Sequence, residues 1–499
     1  MKKLERLLKG LESVETRDGT GVEVGGLAYD SRRVKPGDVF VCIRGLRTDG
    51  HFFVEEAVRR GAAAVVAERE LPGPVRVPFV RVADSRAALG LMAAAFYGHP
   101  SRSLRMIGVT GTNGKTTTTY LVKAMLEAAG HKTGLIGTIR NLAGDEEIPT
   151  QRTTPESLDL QALLAHMRDV GCSHVVMEVS SHAIELKRIA GVEFDIGVFT
   201  NLTQDHLDFH GTFEAYRNAK GKFFTGLGHS TKEGPRWAVI NADDPSADFF
   251  VRVSTVPVRL YGLETGAEVR AEGVWLKPNG LGYRLVAPEG QIALALRLSG
   301  QFNVYNSLAA AAVGLSLGLP LETIRRGLES VPGVPGRFEV VDAGQPFTVV
   351  VDYAHTPDGL ENLLRAVDSV NRGRKILVFG CGGDRDRGKR PLMGEIAGRL
   401  ADYTIVTSDN PRSEDPAAIC AEVAAGVAKT ARGPEAYEVL VDRREAIERA
   451  LAVAEPGDVV LVAGKGHETY QIFADRTIDF DDREVVRQAL AQRKELKRG

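Results

Sequence analysis

The sequence is poor in cysteine and tryptophan, with four and two residues respectively among 499. The cysteines at 42, 172, 381 and 420 form no CxxC pair, which argues against a disulfide framework or a zinc site and favours a reducing compartment. No apolar run approaches the roughly 20 residues of a membrane span. The basic segment 1–10 leads into polar residues without the apolar core of a signal peptide. We therefore expect a cytoplasmic protein without stable membrane insertion.

A strong charge of either sign is also missing, since the formal net charge is −2. This balance gives no reason to expect nucleic acid or an anionic membrane as a partner. The hydrophobic content of 43% and the charged content of 26% are those of an ordinary globular protein. A chain of this length exceeds one hydrophobic core. We predict three domains, covering residues 1–103, 104–335 and 336–499.

The stretch 107–120, IGVTGTNGKTTTTY, contains the most informative pattern in the chain. An apolar strand runs to Val109, and a helix is predicted from about Tyr120. Between them, two glycines allow the positive-φ backbone that turns successive N–H groups inward, ahead of Lys115. The spacing departs from the usual G-x-x-x-x-G-K-[ST], and a plain glycine-rich turn is the alternative. The lysine and the threonine run favour a phosphate-binding loop, with a threonine hydroxyl on Mg²⁺.

Strands alternate with helices through the second and third predicted domains, which indicates an α/β fold with a mostly parallel sheet and ligands at the carboxyl ends of its strands. Residues 256–298 differ, because short alternating strands with glycine turns predict an antiparallel insert. The segment 331–337, VPGVPGR, is the predicted hinge between these two domains. The predicted strands of the third domain are Thr348–Asp352, Lys375–Gly380, Tyr403–Thr407 and Val459–Ala463.

Two strand ends near the phosphate loop carry groups suited to a metal. Glu178 ends the strand SHVVMEV, where a nucleotide-bound Mg²⁺ needs an oxygen ligand, although a solvated strand-end glutamate is the alternative. His206 follows another strand between two acidic residues, and is either a ligand or part of a hydrogen-bonded loop. Lys220 and Lys222 come shortly after. An ammonium cannot ligate a cation, so the residues alone indicate a phosphate contact or a surface pair.

Four predicted strands of the third domain are followed by charged loops, which read DYAHT, GCGGDRDRGKR, DNPR and GKGHE. The spacing of the second loop does not fit a dinucleotide fingerprint, so a nicotinamide cofactor is not expected. Each loop alone is compatible with an ordinary surface loop. Four of them at one edge of a parallel sheet predict a site for a polar, zwitterionic substrate.

The motifs GTNGKTTT, TTP, MEVSSHA, TNLTQDHLDFHG, GQFNVYNSLAA, PGRFE, DYAHTPD, GCGGDRDRGKRP, DNPR and GKGHE occur in this order over nearly the whole chain. In this set the sequence resembles the Mur ligases, the cytoplasmic ATP-dependent amide-forming enzymes of peptidoglycan precursor synthesis. The resemblance implies a uridine-nucleotide-binding α/β domain, a central ATPase and a Rossmann-like domain for the amino acid. It also implies roles in cell wall biogenesis, cell shape and cell division, and we expect a monomer.

The resemblance assigns residues to the nucleotide and the metal. Thr116, Glu178 and His206 match magnesium positions, and Lys220 falls where the family carries a carbamylated lysine, which would turn an ammonium into an anionic ligand. Lys222 competes for that role, and the alignment of Tyr216 favours Lys220. Lys115, Lys220, Glu178 and His206 are the predicted catalytic set. The predicted nucleotide contacts are Gly111, Thr112, Asn113, Gly114, Lys115, Thr116, Thr117, Asn303, Asn306, Arg337, Asp352 and His355.

The resemblance also assigns the two further substrates. Positions matching contacts to a UDP-N-acetylmuramoyl dipeptide are Ser31, Thr153, Thr154, Ser180 and Arg188. Positions matching the amino-acid site are Arg385, Asp409, Asn410, Pro411, Arg412, Gly464 and Glu468. Arg152 and Leu186 depart from residues that some relatives carry there.

The implied reaction phosphorylates the D-glutamate side-chain carboxylate with ATP and then forms an amide. We predict meso-diaminopimelate as the amine donor, because Arg412 offers a cation for its second carboxylate. The alternatives are L-lysine, a folylpolyglutamate ligase or the ligase that adds the terminal dipeptide, and, from another class, a phosphate-loop switch protein that hydrolyses ATP only to change shape.

Overall fold

In a computed structural model, the chain folds into α/β units built on three larger sheets. The structure describes residues 2–11, 14–17, 19–45, 48–71, 73, 75–150, 152–264, 266–368 and 373–496, the last three by their backbone. Across these residues, no helix is both long and apolar enough to cross a membrane. The α/β fold class is confirmed, whereas the domain limits stay a prediction.

The first unit is a sheet with strand order β2-β7-β6-β5-β4, in which β4 to β7 run parallel and β2 is antiparallel to β7. Apolar side chains are buried on both of its faces. Its elements, with the small β1–β3 pair, are β1 Lys2–Lys3, α1 Leu4–Leu7, β2 Glu15–Arg17, β3 Glu23–Val24, β4 Gly26–Ala28, β5 Asp38–Val41, α2 Val54–Arg59, β6 Ala64–Ala67, β7 Phe79–Arg81 and α3 Ser85–Phe96.

The central sheet has the order β11-β10-β9-β12-β8-β13-β14-β15-β16-β17-β18. The strands from β9 to β16 in this order run parallel to one another, whereas β10, β11, β17 and β18 pair antiparallel at the two ends. Its elements are β8 Arg105–Thr110, α4 Lys115–Ala128, β9 Thr133–Ile136, β10 Asn141–Ala143, β11 Glu146–Ile148, α5 Ser157–Asp169, β12 His174–Glu178, α6 Ser181–Glu185, β13 Ile196–Phe199, α7 Leu207–His210, α8 Phe213–Gly226, β14 Trp237–Asn241, α9 Ala247–Val253, β15 Val258–Gly262, β16 Val269–Lys277, β17 Gly280–Ala287, β18 Gly290–Leu296, α10 Gln301–Ser316 and α11 Leu321–Ser330.

The antiparallel pairing predicted for 256–298 is present in β16, β17 and β18, which extend the central sheet itself. The helix after the phosphate loop begins at Lys115, so the predicted start near Tyr120 is wrong. Four consecutive threonines are poor helix formers in isolation, but Thr116 to Thr119 are buried here. Packing of α4 against α10 and α11 overrides their weak propensity.

The third sheet has the order β19-β20-β24-β21-β22-β23, with β20 to β23 parallel. Apolar clusters cover both faces. The elements are β19 Glu339–Val340, β20 Thr348–Asp352, α12 Pro357–Asp368, β21 Lys375–Phe379, α13 Lys389–Leu400, β22 Tyr403–Val406, α14 Pro416–Thr430, β23 Tyr437–Val439, α15 Arg443–Val453, β24 Val459–Ala463, β25 Tyr470–Ile472, β26 Thr477–Asp479 and α16 Asp482–Leu496. The strands predicted here match β20, β21, β22 and β24 to within one residue.

Candidate active site

The phosphate loop joins the end of β8 to the start of α4. Gly111 and Gly114 have φ of +146° and +83°, a backbone region that L side chains avoid. A Cβ at Gly111 would lie 1.9 Å from the Thr200 hydroxyl, and one at Gly114 would lie 2.3 Å from Asn306 Oδ1. Only glycine fits at either position. The N-terminus of α4 therefore faces the site with its backbone N–H groups available to an anion.

Lys115 folds back over this loop. Its Nζ donates to the carbonyl of Gly111 at 3.0 Å and to that of Thr112 at 2.7 Å. Burial lowers the pKa of Lys115, with the Glu178 carboxylate opposing the shift. Among the described residues, the Lys115 ammonium is held at the loop by these two carbonyl oxygens and forms no ion pair, so an incoming phosphate would meet a cation without a carboxylate at ion-pairing distance.

Glu178 ends β12 beside the last residues of β8, with which it pairs in register at Val109. Its Oε1 accepts from the Thr116 hydroxyl at 3.0 Å and from Thr138 N at 2.8 Å, and Oε2 accepts from the Thr138 hydroxyl at 3.0 Å. The carboxylate is buried at the predicted position.

Within the described residues, no group of three or more His, Cys, Asp or Glu side chains could hold a metal. Mg²⁺ commonly uses one or two carboxylates together with substrate phosphates and water, so it does not require such a group. The hydroxyl and carboxylate oxygens of Thr116 and Glu178 fit it.

The two lysines of α8 lie in different surroundings. Lys220 is 1% exposed, and its Nζ donates to the Gly111 carbonyl at 2.8 Å and lies 4.6 Å from the centre of the Tyr216 ring. Burial, followed by repulsion from Lys115, holds the pKa of Lys220 well below its usual range. The Lys222 side chain is 54% exposed and pairs with Glu185 at 2.6 Å. Of the two, only Lys220 reaches the phosphate loop.

His206 adopts a left-handed backbone with φ of +55°. Its ring meets that of His182 edge-on at 4.7 Å between centroids, and its Nε2 lies 3.4 Å from Asp205 Oδ2. Partial burial lowers the pKa of His206 to about 4. Positive φ is uncommon outside glycine and concentrates at functional sites, and Arg412, on the third sheet, shares it at +53°.

The predicted nucleotide residues come from both sides of the hinge. Arg337 donates from Nη2 to the Thr116 hydroxyl at 3.2 Å, and its guanidinium lies 4.5 Å from the centre of the Tyr353 ring. The Asp352 carboxylate accepts two backbone N–H bonds, while burial raises its pKa. Burial lowers the pKa of His355 to about 4. Asn303 and Asn306 of α10 hydrogen bond to each other behind the loop.

The predicted dipeptide residues separate into two places. Thr154 donates its hydroxyl to the Glu178 carbonyl at 2.8 Å and lies 3.4 Å from the Ser180 hydroxyl, and Arg188 donates to the Thr154 carbonyl at 3.4 Å. The Thr153 hydroxyl lies 3.0 Å from that of Thr138. These side chains lie beside the phosphate loop. Ser31 lies in the first unit instead, where it donates to Glu56 Oε2 at 2.8 Å.

The predicted amino-acid residues meet at the carboxyl edge of the third sheet. Asn410 donates to Glu468 Oε2 at 2.8 Å. Arg412 donates from Nη1 to the Gly383 carbonyl at 2.8 Å. Gly464, with φ of +113°, leaves room for Asp409, because a Cβ there would lie 2.7 Å from Asp409 Oδ2. Pro411 is buried between them, and Arg385 lies on the exposed loop, where it donates to the Asp384 carbonyl.

Two residues of the site, Lys465 and Asp358, were not predicted from the sequence. Lys465 is fully buried and donates to Glu468 Oε2 at 3.1 Å, which its place in the GKGHE loop signals. Asp358 accepts from Asn113 Nδ2 at 2.7 Å and from the Thr203 hydroxyl at 2.9 Å, joining α12 to the phosphate loop. Nothing in the sequence indicates that this helix reaches across.

The fold and the site define a class of α/β protein in which a phosphate-binding loop in one parallel sheet faces the strand ends of another. Family models match residues 23–97 as "Mur ligase family, catalytic domain", 109–314 as "Mur ligase middle domain" and 336–466 as "Mur ligase, glutamate ligase domain".

Similar proteins agree with these models. A UDP-N-acetylmuramoyl-L-alanyl-D-glutamate–2,6-diaminopimelate ligase of Geobacillus thermodenitrificans (strain NG80-2) is 50% identical over 493 residues, covering 99% of this chain and 100% of that protein. A ligase of the same name from Syntrophomonas wolfei subsp. wolfei is 48% identical over 98% of this chain and 99% of that protein. A solved structure of a ligase with this name is 32% identical, with a TM-score of 0.69 over 99% of each chain. The chain belongs to the Mur ligase family.

Proposed function

We propose that this chain is an ADP-forming ligase that adds meso-diaminopimelate to the D-glutamate of UDP-N-acetylmuramoyl-L-alanyl-D-glutamate, in peptidoglycan precursor synthesis in the cytoplasm, and that it works as a monomer. Relatives of about 50% identity over nearly the full length carry the name of that reaction. The reaction joins three substrates: ATP, a uridine-linked dipeptide and a diamino acid.

The observation that carries the proposal is the hydrogen bonding of Thr116. Its hydroxyl donates to Glu178 at the end of β12 and accepts from Arg337, the last residue of the predicted hinge. The first residue to follow Lys115 is therefore in contact with both the acceptor side of the molecule and the segment that leads into the amino-acid side. A nucleoside triphosphate held by the loop would have its terminal phosphate between two sets of substrate-binding groups, as a ligase requires.

In the first step, a carboxylate oxygen of the D-glutamate side chain attacks the terminal phosphorus of ATP, and ADP leaves. Lys115 and the N-terminus of α4 stabilise the negative charge that develops on the transferred group. Mg²⁺, when bound through Thr116 and Glu178, neutralises phosphate charge. His206 lies close to Asp205, in the loop after β13. We propose it as a further residue at the metal site.

We propose that Lys220 carries a carbamate. CO₂ adds to a neutral amine and not to an ammonium, and burial already favours the neutral form of this lysine. The product is an anionic oxygen group, which compensates the Lys115 ammonium that repels an unmodified Lys220. Lys222, exposed and paired with Glu185, lacks both conditions.

In the second step, an amine of the diamino acid attacks the acyl carbon, and phosphate leaves from the tetrahedral intermediate. Asp409 and Glu468 offer carboxylates to ammonium groups, and Arg412 offers a guanidinium to a carboxylate. L-Lysine lacks the second carboxylate that Arg412 would bind, so the charge pattern favours diaminopimelate. The donor groups would have to remain near the loop, and the Asp358 bonds to Asn113 and Thr203 support such a closed arrangement.

The experiment is a panel of amino donors, tested for ADP release in the presence of ATP, Mg²⁺ and the uridine-linked dipeptide. We expect ADP release at a substantial rate only with dipeptide and meso-diaminopimelate together, and far less with L-lysine or D-alanyl-D-alanine. If L-lysine supports the fastest ADP release, the proposal of meso-diaminopimelate as the donor is wrong. ADP release that is independent of both substrates would instead favour a switch protein.

A further inference from the structure

A cluster of arginines surrounds one buried glutamate beside the dipeptide residues. Glu156 is held by Arg152, whose Nη1 donates to Oε1 at 2.6 Å, by Arg188, whose Nε donates to the same oxygen at 3.0 Å, and by Arg86, whose Nη1 donates to Oε2 at 3.2 Å. We call these four residues the Glu156 cluster. Three cations share one anion, so the four side chains together carry a formal charge of +2.

The Glu156 cluster lies where two sheets meet. Arg86 belongs to α3 of the first unit, and its Nε and Nη2 donate to the Arg44 carbonyl at 3.2 and 3.0 Å. Arg188 donates to the Thr154 carbonyl, and the Thr154 hydroxyl donates to the backbone carbonyl of Glu178, next to the phosphate loop. The cluster thus connects the first unit with the edge where phosphate chemistry is proposed.

A pocket of about 430 Å³ is lined in part by Arg86. Its lining residues are Arg44, Gly45, Glu68, Ala83, Asp84 and Arg86. An extended ligand with one end in this pocket and the other at Glu178 would pass the Glu156 cluster. A uridine-linked peptide would be an extended ligand of this kind.

The three arginine side chains differ in their exposure to solvent. The Arg86 and Arg188 side chains are 15% and 14% exposed, whereas that of Arg152 is 53% exposed and shares its glutamate oxygen with Arg188. Burial and the two neighbouring guanidinium groups act together to lower the pKa of Arg188 against the attraction of Glu156. Arg86 and Arg188 are thus two largely buried cations that share one carboxylate, and a second anion at the cluster would reduce their repulsion.

We propose that Arg152 and Arg86 join Arg188 in binding an anionic oxygen group of the uridine-linked substrate, with Glu156 as the counter-ion that orients the three side chains. This assignment rests on the proposed function. Two groups of that substrate have the required chemistry, namely the α-carboxylate of its D-glutamate and its diphosphate. Arg152 makes the contact that a free ligand meets first, because it is exposed and bound to Glu156 through a single hydrogen bond.

The test measures the dissociation constants of three probes by calorimetry, without ATP, at two salt concentrations. The probes are UDP, the complete uridine-linked dipeptide, and the same dipeptide with its D-glutamate α-carboxylate converted to an amide. The variants are R152Q and, as a matched control, R325Q, which removes an arginine whose partner is Glu322 on the surface of α11. The R86K variant checks the buried member while keeping its charge and much of its packing.

We expect R152Q to raise the dissociation constant of the complete dipeptide about tenfold, the loss of one charge-assisted hydrogen bond, and to flatten its salt dependence. R86K should weaken the same ligand, since lysine cannot reproduce the guanidinium fork. R325Q should match the wild type. An effect of R152Q that disappears with the amide assigns the site to the carboxylate, and one already seen with UDP assigns it to the diphosphate.

Wild-type affinity and salt dependence in R152Q for all three probes would overturn the inference while leaving the proposed function intact. A wild type that binds neither UDP nor the dipeptide would instead overturn the proposed function.

Discussion

The phosphate-loop edge of the central sheet and the carboxyl edge of the third sheet both gather lysine and arginine, but they pair them differently. In the described part of the chain, Lys115 and Lys220 form no ion pair within 4.0 Å and donate to backbone carbonyls. At the third sheet, Lys465 pairs with Glu468, and Arg390 pairs with Glu414 at 2.8 Å. The two lysines of the first edge thus have no carboxylate at ion-pairing distance among the described residues, which suits a polyphosphate. The second edge is balanced and suits a zwitterion.

The largest effect should follow from removing the phosphate-edge cation. Lys115→Ala should lower the turnover number for ADP release by roughly 100- to 1000-fold, because the lost charge stabilises the transferred phosphoryl group. Circular dichroism should confirm that the fold survives. Near-normal ADP production by this variant would mean that the loop does not serve phosphate transfer.

The next effect distinguishes the two lysines of α8. If Lys220 carries a carbamate ligand, Lys220→Ala should lower turnover by at least about 100-fold, since the loss of an outer-shell partner of a metal already costs roughly 10- to 100-fold. Millimolar acetate or formate should restore part of the activity. The matched control Lys222→Ala removes only an exposed ion pair with Glu185 and should stay within about twofold. Full activity in both variants would show that the reaction does not need a carbamate on Lys220.

A smaller effect, confined to one substrate, should come from the third sheet. Arg412→Ala should raise the KM for meso-diaminopimelate roughly 10- to 100-fold, the loss of a charge-assisted hydrogen bond, and leave the KM for ATP within about twofold. Arg476→Ala, on an exposed turn of the same unit, serves as the control. Equal increases in both KM values would show that the two edges are not separate.

The smallest effect is on stability, and it should have opposite signs at the two edges. In CO₂-free buffer at pH 7, Lys220→Met should raise the free energy of unfolding by about 1–2 kcal/mol, since the wild type must give up a proton to bury this lysine without a carboxylate partner. Lys465→Met should lower it by a similar amount, because the Glu468 carboxylate loses its cationic partner and keeps the hydrogen bond from Asn410.

The stability gained by Lys220→Met should depend on pH, because the pKa of Lys220 is lowered in the folded protein. Between the lowered folded value and the ordinary value near 10.5, the unfolded chain binds more protons than the folded one, so the wild type gains stability as the pH rises. The advantage of Lys220→Met should therefore shrink between pH 7 and pH 10 in denaturant titrations. A constant advantage across this range would contradict burial of a neutral amine.

Much of the phosphate edge could be predicted from the sequence because it depends on local backbone. Gly111, Gly114 and Lys115 lie within five positions, and the strand before them is apolar. The choice of Lys220 over Lys222 rested on the family resemblance, through the alignment of Tyr216 and Ala219, and the local spacing agrees with it. Tyr216 lies four positions before Lys220 and so shares its helix face, and the structure buries both.

The hydrogen bonds and ion pairs between distant segments of the chain were not predictable from the sequence. Glu156 meets Arg86 across 70 positions, and Asp358 meets Asn113 across 245. Such contacts depend on how separate sheets pack against each other, which no local periodicity encodes. The early start of α4 has the same origin, since its threonines are helical through burial.

The central claim is that the phosphate edge activates a carboxylate before the third sheet supplies the amine. It is tested most directly with dipeptide labelled with ¹⁸O in the D-glutamate side-chain carboxylate, ATP and meso-diaminopimelate, followed by mass spectrometry of the released phosphate. The acyl-phosphate route predicts one ¹⁸O in each phosphate, because the bridging carboxylate oxygen leaves with phosphorus when the amine attacks carbon. Unlabelled phosphate accompanied by amide product would contradict the account.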